Sequence, residues 1–184
     1  MRKQIALIAV FFVVAALMSA QMGMSQDKSN RPSPPASAEC RFSGGKTIKI
    51  DYSSPRAQGR KIFGEASEQA LVPYGKIWRT GANEATTFVT DANVTVGGKV
   101  VPAGSYTIFT VPKADSWWLV ISKKTGEWGT DYPGENEDLV RVPMKVSKNG
   151  PPVENFLIAF DQDGSKCKLR IEWATTVASL DITK

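Results

Sequence analysis

The chain has 184 residues, 42% hydrophobic and 22% charged, with 15 Gly and 11 Pro, the composition of a single globular domain. It contains no histidine, which excludes Ser-His-Asp and Cys-His nucleophilic machinery, HExxH zinc sites and any imidazole base. The formal charge of +5 falls to +3 once Arg2 and Lys3 are removed with the leader described next. No basic cluster is longer than a pair, so a nucleic-acid partner is not expected.

Met1-Arg2-Lys3 followed by 13 apolar residues (5–17) and the small residues of Met18-Ser19-Ala20 has the layout of a secretory signal peptide. Residues 1–20 are assigned to it, with cleavage near Gln21 or, at a competing site, near Gln26. The apolar run is too short for a spanning helix, which needs roughly 20 residues. The first cysteine, Cys40, is too distant for an N-terminal lipid anchor. The sequence therefore predicts an exported protein, periplasmic or extracellular, with no stable membrane insertion after cleavage. Residues 21–38 are polar and rich in Pro and Ser, and read as a disordered leader.

From residue 39 to 184 the pattern is strand, turn, strand. Residues 47–52 alternate with period two, placing Ile48, Ile50 and Tyr52 on one face. Residues 85–90 and 94–96 are β-branched, Gly97-Gly98 signals a hairpin, and 99–101 return. Further strands are predicted over 105–111, 117–122, 140–146, 156–160, 166–173 and 177–182, with Asp163-Gly164 as a turn. Residues 67–71 suggest one helical turn. The fold class is all-β: a single-domain antiparallel β-sandwich of about ten strands, jelly-roll or Ig-like, with long Gly-rich loops. Of the adjacent Trp117 and Trp118, one should face inward and the other outward.

Cys167 has the parity of Leu169, Ile171 and Trp173, and Cys40 that of Phe42, so both should point into the core. In an oxidising compartment a Cys40–Cys167 disulfide is expected, in preference to two buried thiols. Asp161-Gln162-Asp163-Gly164 lacks the following ligands of a calcium loop and reads as a hairpin turn, so no metal is expected. No Gly-rich phosphate loop or GxSxG elbow occurs, and no cofactor is expected.

The most distinctive stretch holds Asp51-Tyr52-Ser53-Ser54-Pro55, Gly59-Arg60-Lys61-Ile62-Phe63-Gly64, Leu71-Val72-Pro73-Tyr74-Gly75 and Trp78-Arg79-Thr80-Gly81-Ala82-Asn83-Glu84. With Pro102-Ala103-Gly104-Ser105-Tyr106 and Trp128-Gly129, these runs closely resemble the bacterial family called domain of unknown function 2911. The resemblance covers nearly all of residues 42–182. It implies an exported, all-β protein and no particular activity.

The residues themselves carry the functional reading. Arg60, Lys61, Trp78, Arg79, Asn83 and Glu84 set charges among Gly, Trp and Phe, and form the candidate ligand-binding set. One reading is structural: Arg79 and Glu84 turn toward each other around Gly81 as a buried tie, with Trp78 packed over the arginine. The other is a guanidinium fork offered to a carboxylate, phosphate or sugar, with Trp78 as a stacking wall. The structural reading is preferred, because long glycine-rich connections need internal ties. At the level of function, a non-enzymatic ligand- or partner-binding or structural envelope protein is expected, its partner a small molecule, glycan or envelope protein. The alternative is a His-independent, glycosidase-like hydrolase using paired carboxylates, with Asp51 and Glu84 as the first pair to test.

Overall fold

The computed structural model describes residue 28 and residues 30–184. The expected signal peptide and its cleavage sites, and residues 21–27 and 29 of the expected leader, lie outside the described residues. The described residues form eleven strands: β1 (Pro35–Arg41), β2 (Thr47–Ser53), β3 (Phe63–Gly64), β4 (Val72–Pro73), β5 (Thr86–Thr90), β6 (Val94–Val96), β7 (Lys99–Val101), β8 (Gly104–Pro112), β9 (Ser116–Ser122), β10 (Asp138–Asp163) and β11 (Lys166–Thr183). Nine of them form an antiparallel sheet in the order β1-β2-β5-β8-β9-β10-β11-β6-β7, and β3 and β4 make a small parallel pair. The only helical segments among the described residues are 3-10 turns at Ala66–Glu68 and Glu135–Glu137. The all-β sandwich expected from the sequence is what the chain forms.

The sandwich is made by bending one sheet. β10 and β11 are long strands joined by the Gly164 turn, and they remain paired from Asp163↔Lys166 back to Lys145↔Ser179. Their register shifts between Lys148 and Val153 and again between Val153 and Leu157, opposite Ala174, whose φ is +50°. Strands that turn from one layer to the other do so through such bulges. Pro151 and Pro152 sit inside the bulge, where a missing N–H breaks no ladder bond. The sequence reads this hairpin as four separate strands. The gaps it places at 147–155 and 174–176 are instead the corner, through which the ladder continues.

Beyond the corner the hairpin lies over β1, β2 and the segment that follows. Phe156 N–H donates to Pro55 O at 2.9 Å, Ala57 N–H to Glu154 O at 2.8 Å, and the Ser54 hydroxyl to Phe156 O at 2.7 Å. The Tyr52 phenol donates to Ile158 O and accepts from Ile158 N–H at 3.1 Å, and burial pushes it above its ordinary range. The Cys40–Cys167 disulfide closes the layer, joining β1 to β11 across 127 residues of sequence. Between the layers lie Ile48, Ile50, Phe88, Ile108, Leu119, Ile121, Phe156, Ile158, Leu169, Ile171 and Trp173. Trp117 is buried among them while Trp118 is partly exposed, the inward and outward pair expected from their adjacency.

Two boundaries differ from the sequence reading. β1 begins at Pro35, inside the stretch assigned to the leader, and pairs with β2 from Pro35↔Ser53 to Arg41↔Thr47. Ala36, Ala38 and Cys40 turn inward, and an edge strand tolerates Pro as its first residue. Ala36 and Ala38 are too small to register as a hydrophobic alternation, which is why composition alone suggests disorder. β3 and β4 are two residues each and carry no period to read.

Opening the disulfide should weaken the fold by less than the roughly 5 kcal/mol that chain entropy allows for a loop of this length. Urea unfolding of the oxidised protein against a Cys40→Ser, Cys167→Ser double variant measures it, and equal midpoints would contradict a role for the bridge.

Candidate functional site

The segment from Ile77 to Ala85 connects β4 to β5 and is anchored at its first turn by Trp78. The Trp78 backbone exchanges hydrogen bonds with Thr110 of β8 at 2.8 and 2.9 Å. Its indole stacks on Trp173 with ring centroids 5.9 Å apart and meets Phe156 edge-on at 5.1 Å, with Phe63 and Trp117 closing the cluster. Its ring N–H donates to Gly81 O at 3.0 Å. Aromatic contacts of these kinds stabilise beyond the area they bury. Trp78 is thus a core residue on one side and a wall on the other, not a cover over Arg79.

The turn that follows is tightly held. Thr80, fully buried and β-branched, has φ +56°, a conformation such residues rarely adopt. Its carbonyl accepts from the Thr86 hydroxyl at 2.7 Å, and its hydroxyl meets that of Thr110 at 3.1 Å. At Gly81 a Cβ would meet Ser53 O at 3.0 Å and Thr86 Oγ1 at 3.1 Å, so only glycine fits against β2 and β5. Backbone strain of this sort persists where the surroundings over-determine it, and functional sites are a common place for it.

The expected Arg79–Glu84 tie does not form. Glu84 is taken by other cations: Lys28 Nζ lies 2.8 Å from one carboxylate oxygen, and Arg31 donates to both oxygens at 2.9 and 3.0 Å. Burial alone would raise the Glu84 carboxyl, but hydrogen bonds from Lys28, its own backbone N–H and Arg31 outweigh it and hold the group at about 2. Arg31 also stands 5.9 Å over the Trp128 ring, and Asn83 Nδ2 donates to Ser33 O at 3.1 Å. Asn83 and Glu84 therefore fasten the segment preceding β1 onto the body. The physical reason is reach: from outside the turn Arg31 meets both Glu84 oxygens through one guanidinium nitrogen, and Lys28 adds a second cation.

Arg79 is left without a partner. Its Nε is buried and unbonded, and among the described residues no carboxylate pairs with it. Burial pushes its guanidinium below the ordinary arginine range. Arg79 lines a cavity of about 430 Å³ together with Arg60, Lys76, Ile77, Trp78 and Trp173. Arg60 is fixed at this cavity by donating to the Ala57 and Arg56 carbonyls. Lys61 is not part of it; it lies on the surface, paired with Glu68 at the 3-10 turn. Of the six predicted residues, three share the cavity, two hold the segment that contributes Ser33 to its wall, and one stands apart.

A second cavity of about 560 Å³ is lined by Asp51, Glu84, Glu127, Lys28 and Tyr52, among others. Asp51 and Glu84, the carboxylates singled out for hydrolysis, both reach it. Each is already engaged, Asp51 by Lys49 at 2.9 Å and Glu84 as above. Glu127, which sequence reasoning missed, accepts from the Thr107 hydroxyl through one oxygen while the other is buried and unpaired. No cluster of residues suited to holding a metal is found among the described residues.

Two outcomes follow. Because Arg79 is a half-buried charge with no counter-ion, Arg79→Met, which keeps the apolar stem, should melt no lower than the parent. A clear loss of melting temperature would restore the structural tie. For Glu84, whose folded pKa is depressed, the stabilisation is present above its ordinary value of 4.5 and is lost as pH falls toward 2. Glu84→Gln should therefore be less stable than the parent at pH 6, with the gap closing by pH 2 in chemical unfolding. A gap independent of pH would contradict the clamp.

The family described as "Protein of unknown function (DUF2911)" matches residues 33–182. No curated protein and no solved structure matches the chain.

Proposed function

This chain belongs to the DUF2911 family, and we propose that it is an exported, non-enzymatic binding protein of the cell envelope that receives its ligand in the cavity between Arg60, Trp78 and Arg79. The observation that carries this reading is the Arg79 guanidinium, half-buried and unpaired beside an aromatic wall. A buried charge without a partner costs stability, so a fold that keeps one is expected to use it. The strained Thr80 turn that follows it supports the same reading.

The hydrolase reading retains one supporting observation, the shared cavity of Asp51, Glu84 and Glu127. Paired-carboxylate catalysis needs both carboxyl groups free to reach the substrate. Glu84 is held by Lys28 and Arg31, and Asp51 by Lys49. The binding reading is therefore preferred.

Export is proposed on the signal-peptide layout of residues 1–20, with which the Cys40–Cys167 disulfide accords. Among the described residues no helix is long and apolar enough to cross a membrane. Intact-mass measurement on the envelope fraction should find a chain beginning near Gln21 or Gln26, and a mass retaining residues 5–17 would contradict export. A thermal-shift screen against small acids, neutral sugars and peptides should give ligands whose shift disappears in Ile77→Asp, Arg79→Gln. Shifts unaffected by both changes would move the site elsewhere, and turnover of a glycan by the parent but not by Asp51→Asn would favour the hydrolase.

A further inference from the structure

The charge on the walls of the Arg79 cavity is of one sign. Arg60, Lys76 and Arg79 line it, and among the described residues no aspartate or glutamate does. Elsewhere among the described residues Arg31, Arg41, Arg141 and Arg170 are paired with carboxylates, and Arg56 donates to the Ser54 carbonyl and hydroxyl. Arg79 has neither kind of partner for its side chain. The volume, about 430 Å³, is within the range of small-molecule sites.

The chemistry of the donors narrows the anion. Phosphate sites characteristically use helix N-termini or runs of backbone N–H groups. Here the described helical segments are three-residue 3-10 turns, and neither lines the cavity, whose lining includes Leu71, Val72, Ile77, Trp78 and Trp173 beside the cations. A planar guanidinium recessed among apolar walls matches a carboxylate carried on an apolar body. Resting on the binding reading above, we infer that the ligand is a small organic carboxylate. Its carboxylate accepts hydrogen bonds from Arg79, its apolar part lies against Trp78 and Ile77, and Arg60 and Lys76 guard the entrance. A free acid and the C-terminal carboxylate of a short peptide share this chemistry.

The test is titration of the purified, disulfide-intact protein by calorimetry and by tryptophan fluorescence, to which Trp78 and Trp173 contribute. The probes are 3-phenylpropanoate, hexanoate and N-acetyl-phenylalanine, each paired with its neutral primary amide, and inorganic phosphate. The acids should bind at least about tenfold tighter than their amides, a margin of about 1.4 kcal/mol. Arg79→Gln should erase the margin, and Lys76→Gln, a surface change that leaves the fold intact, should shrink it severalfold. A preference for N-acetyl-phenylalanine over the other acids would assign the peptide terminus, and the reverse a free acid. Amides binding as tightly as acids, phosphate binding as tightly as the acids, or a margin that survives both substitutions overturns the inference. If neutral sugars shift the melting temperature while no acid is preferred, the carboxylate inference fails and the binding reading stands. If nothing binds, both fail.

Discussion

The insertion of the Trp78 indole between Trp173, Phe156, Phe63 and Trp117 is the contact on which the candidate site depends. Those partners come from β11, β10, β3 and β9, so one side chain ties the connection after β4 to both layers of the sandwich. With Trp78 so placed and its backbone paired to Thr110, the next residue emerges at the rim of the core. Gly81 and the Thr80–Thr86–Thr110 hydroxyl network then turn the chain sharply into β5. Arg79 is held in that short interval, beside apolar walls and, among the described residues, paired with no carboxylate.

The same constraint explains why the site sits where it does. The bent β10–β11 hairpin must fold across β1 and β2 before Trp173 and Phe156 can meet Trp78. The disulfide and the hydrogen bonds of Ser54, Ala57 and Phe156 fix that crossing. The segment before β1 is fastened by Glu84 and Asn83 and brings Ser33 to the cavity wall. Packing, covalent closure and a surface ion cluster thus converge on one cavity, and they leave the Arg79 side chain without a hydrogen-bond partner among the described residues.

Much of this was legible in the sequence. Period-two alternation located β2, β-branched runs located β5 and β6, turn signals and strand-like runs located β7, β8 and β9, and side-chain parity placed both cysteines inward, because burial on one face of a strand leaves a direct imprint. The β10–β11 corner was not legible, since a bulge interrupts the pattern in the same way as a loop. Nor was β1, whose inward residues are alanines. Within the site, residue types marked Arg60, Trp78 and Arg79, but pairing did not follow from spacing. Five residues around a glycine permit an Arg79–Glu84 contact, and only the fold shows that Lys28 and Arg31 claim the carboxylate first. Lys28 and Arg31 lay in a stretch whose composition argued against order. Trp173, read correctly as core, gave no sign that it also walls a cavity.

The whole site turns on Arg79 being independent of Glu84. A double-mutant cycle with Arg79→Met, Glu84→Gln and the combined variant, read by urea unfolding at pH 7, tests it most directly. Independence predicts that the two changes add to within about 0.5 kcal/mol. A coupling above about 1 kcal/mol would mean that the two side chains meet in solution, and would contradict an arginine kept free for a ligand.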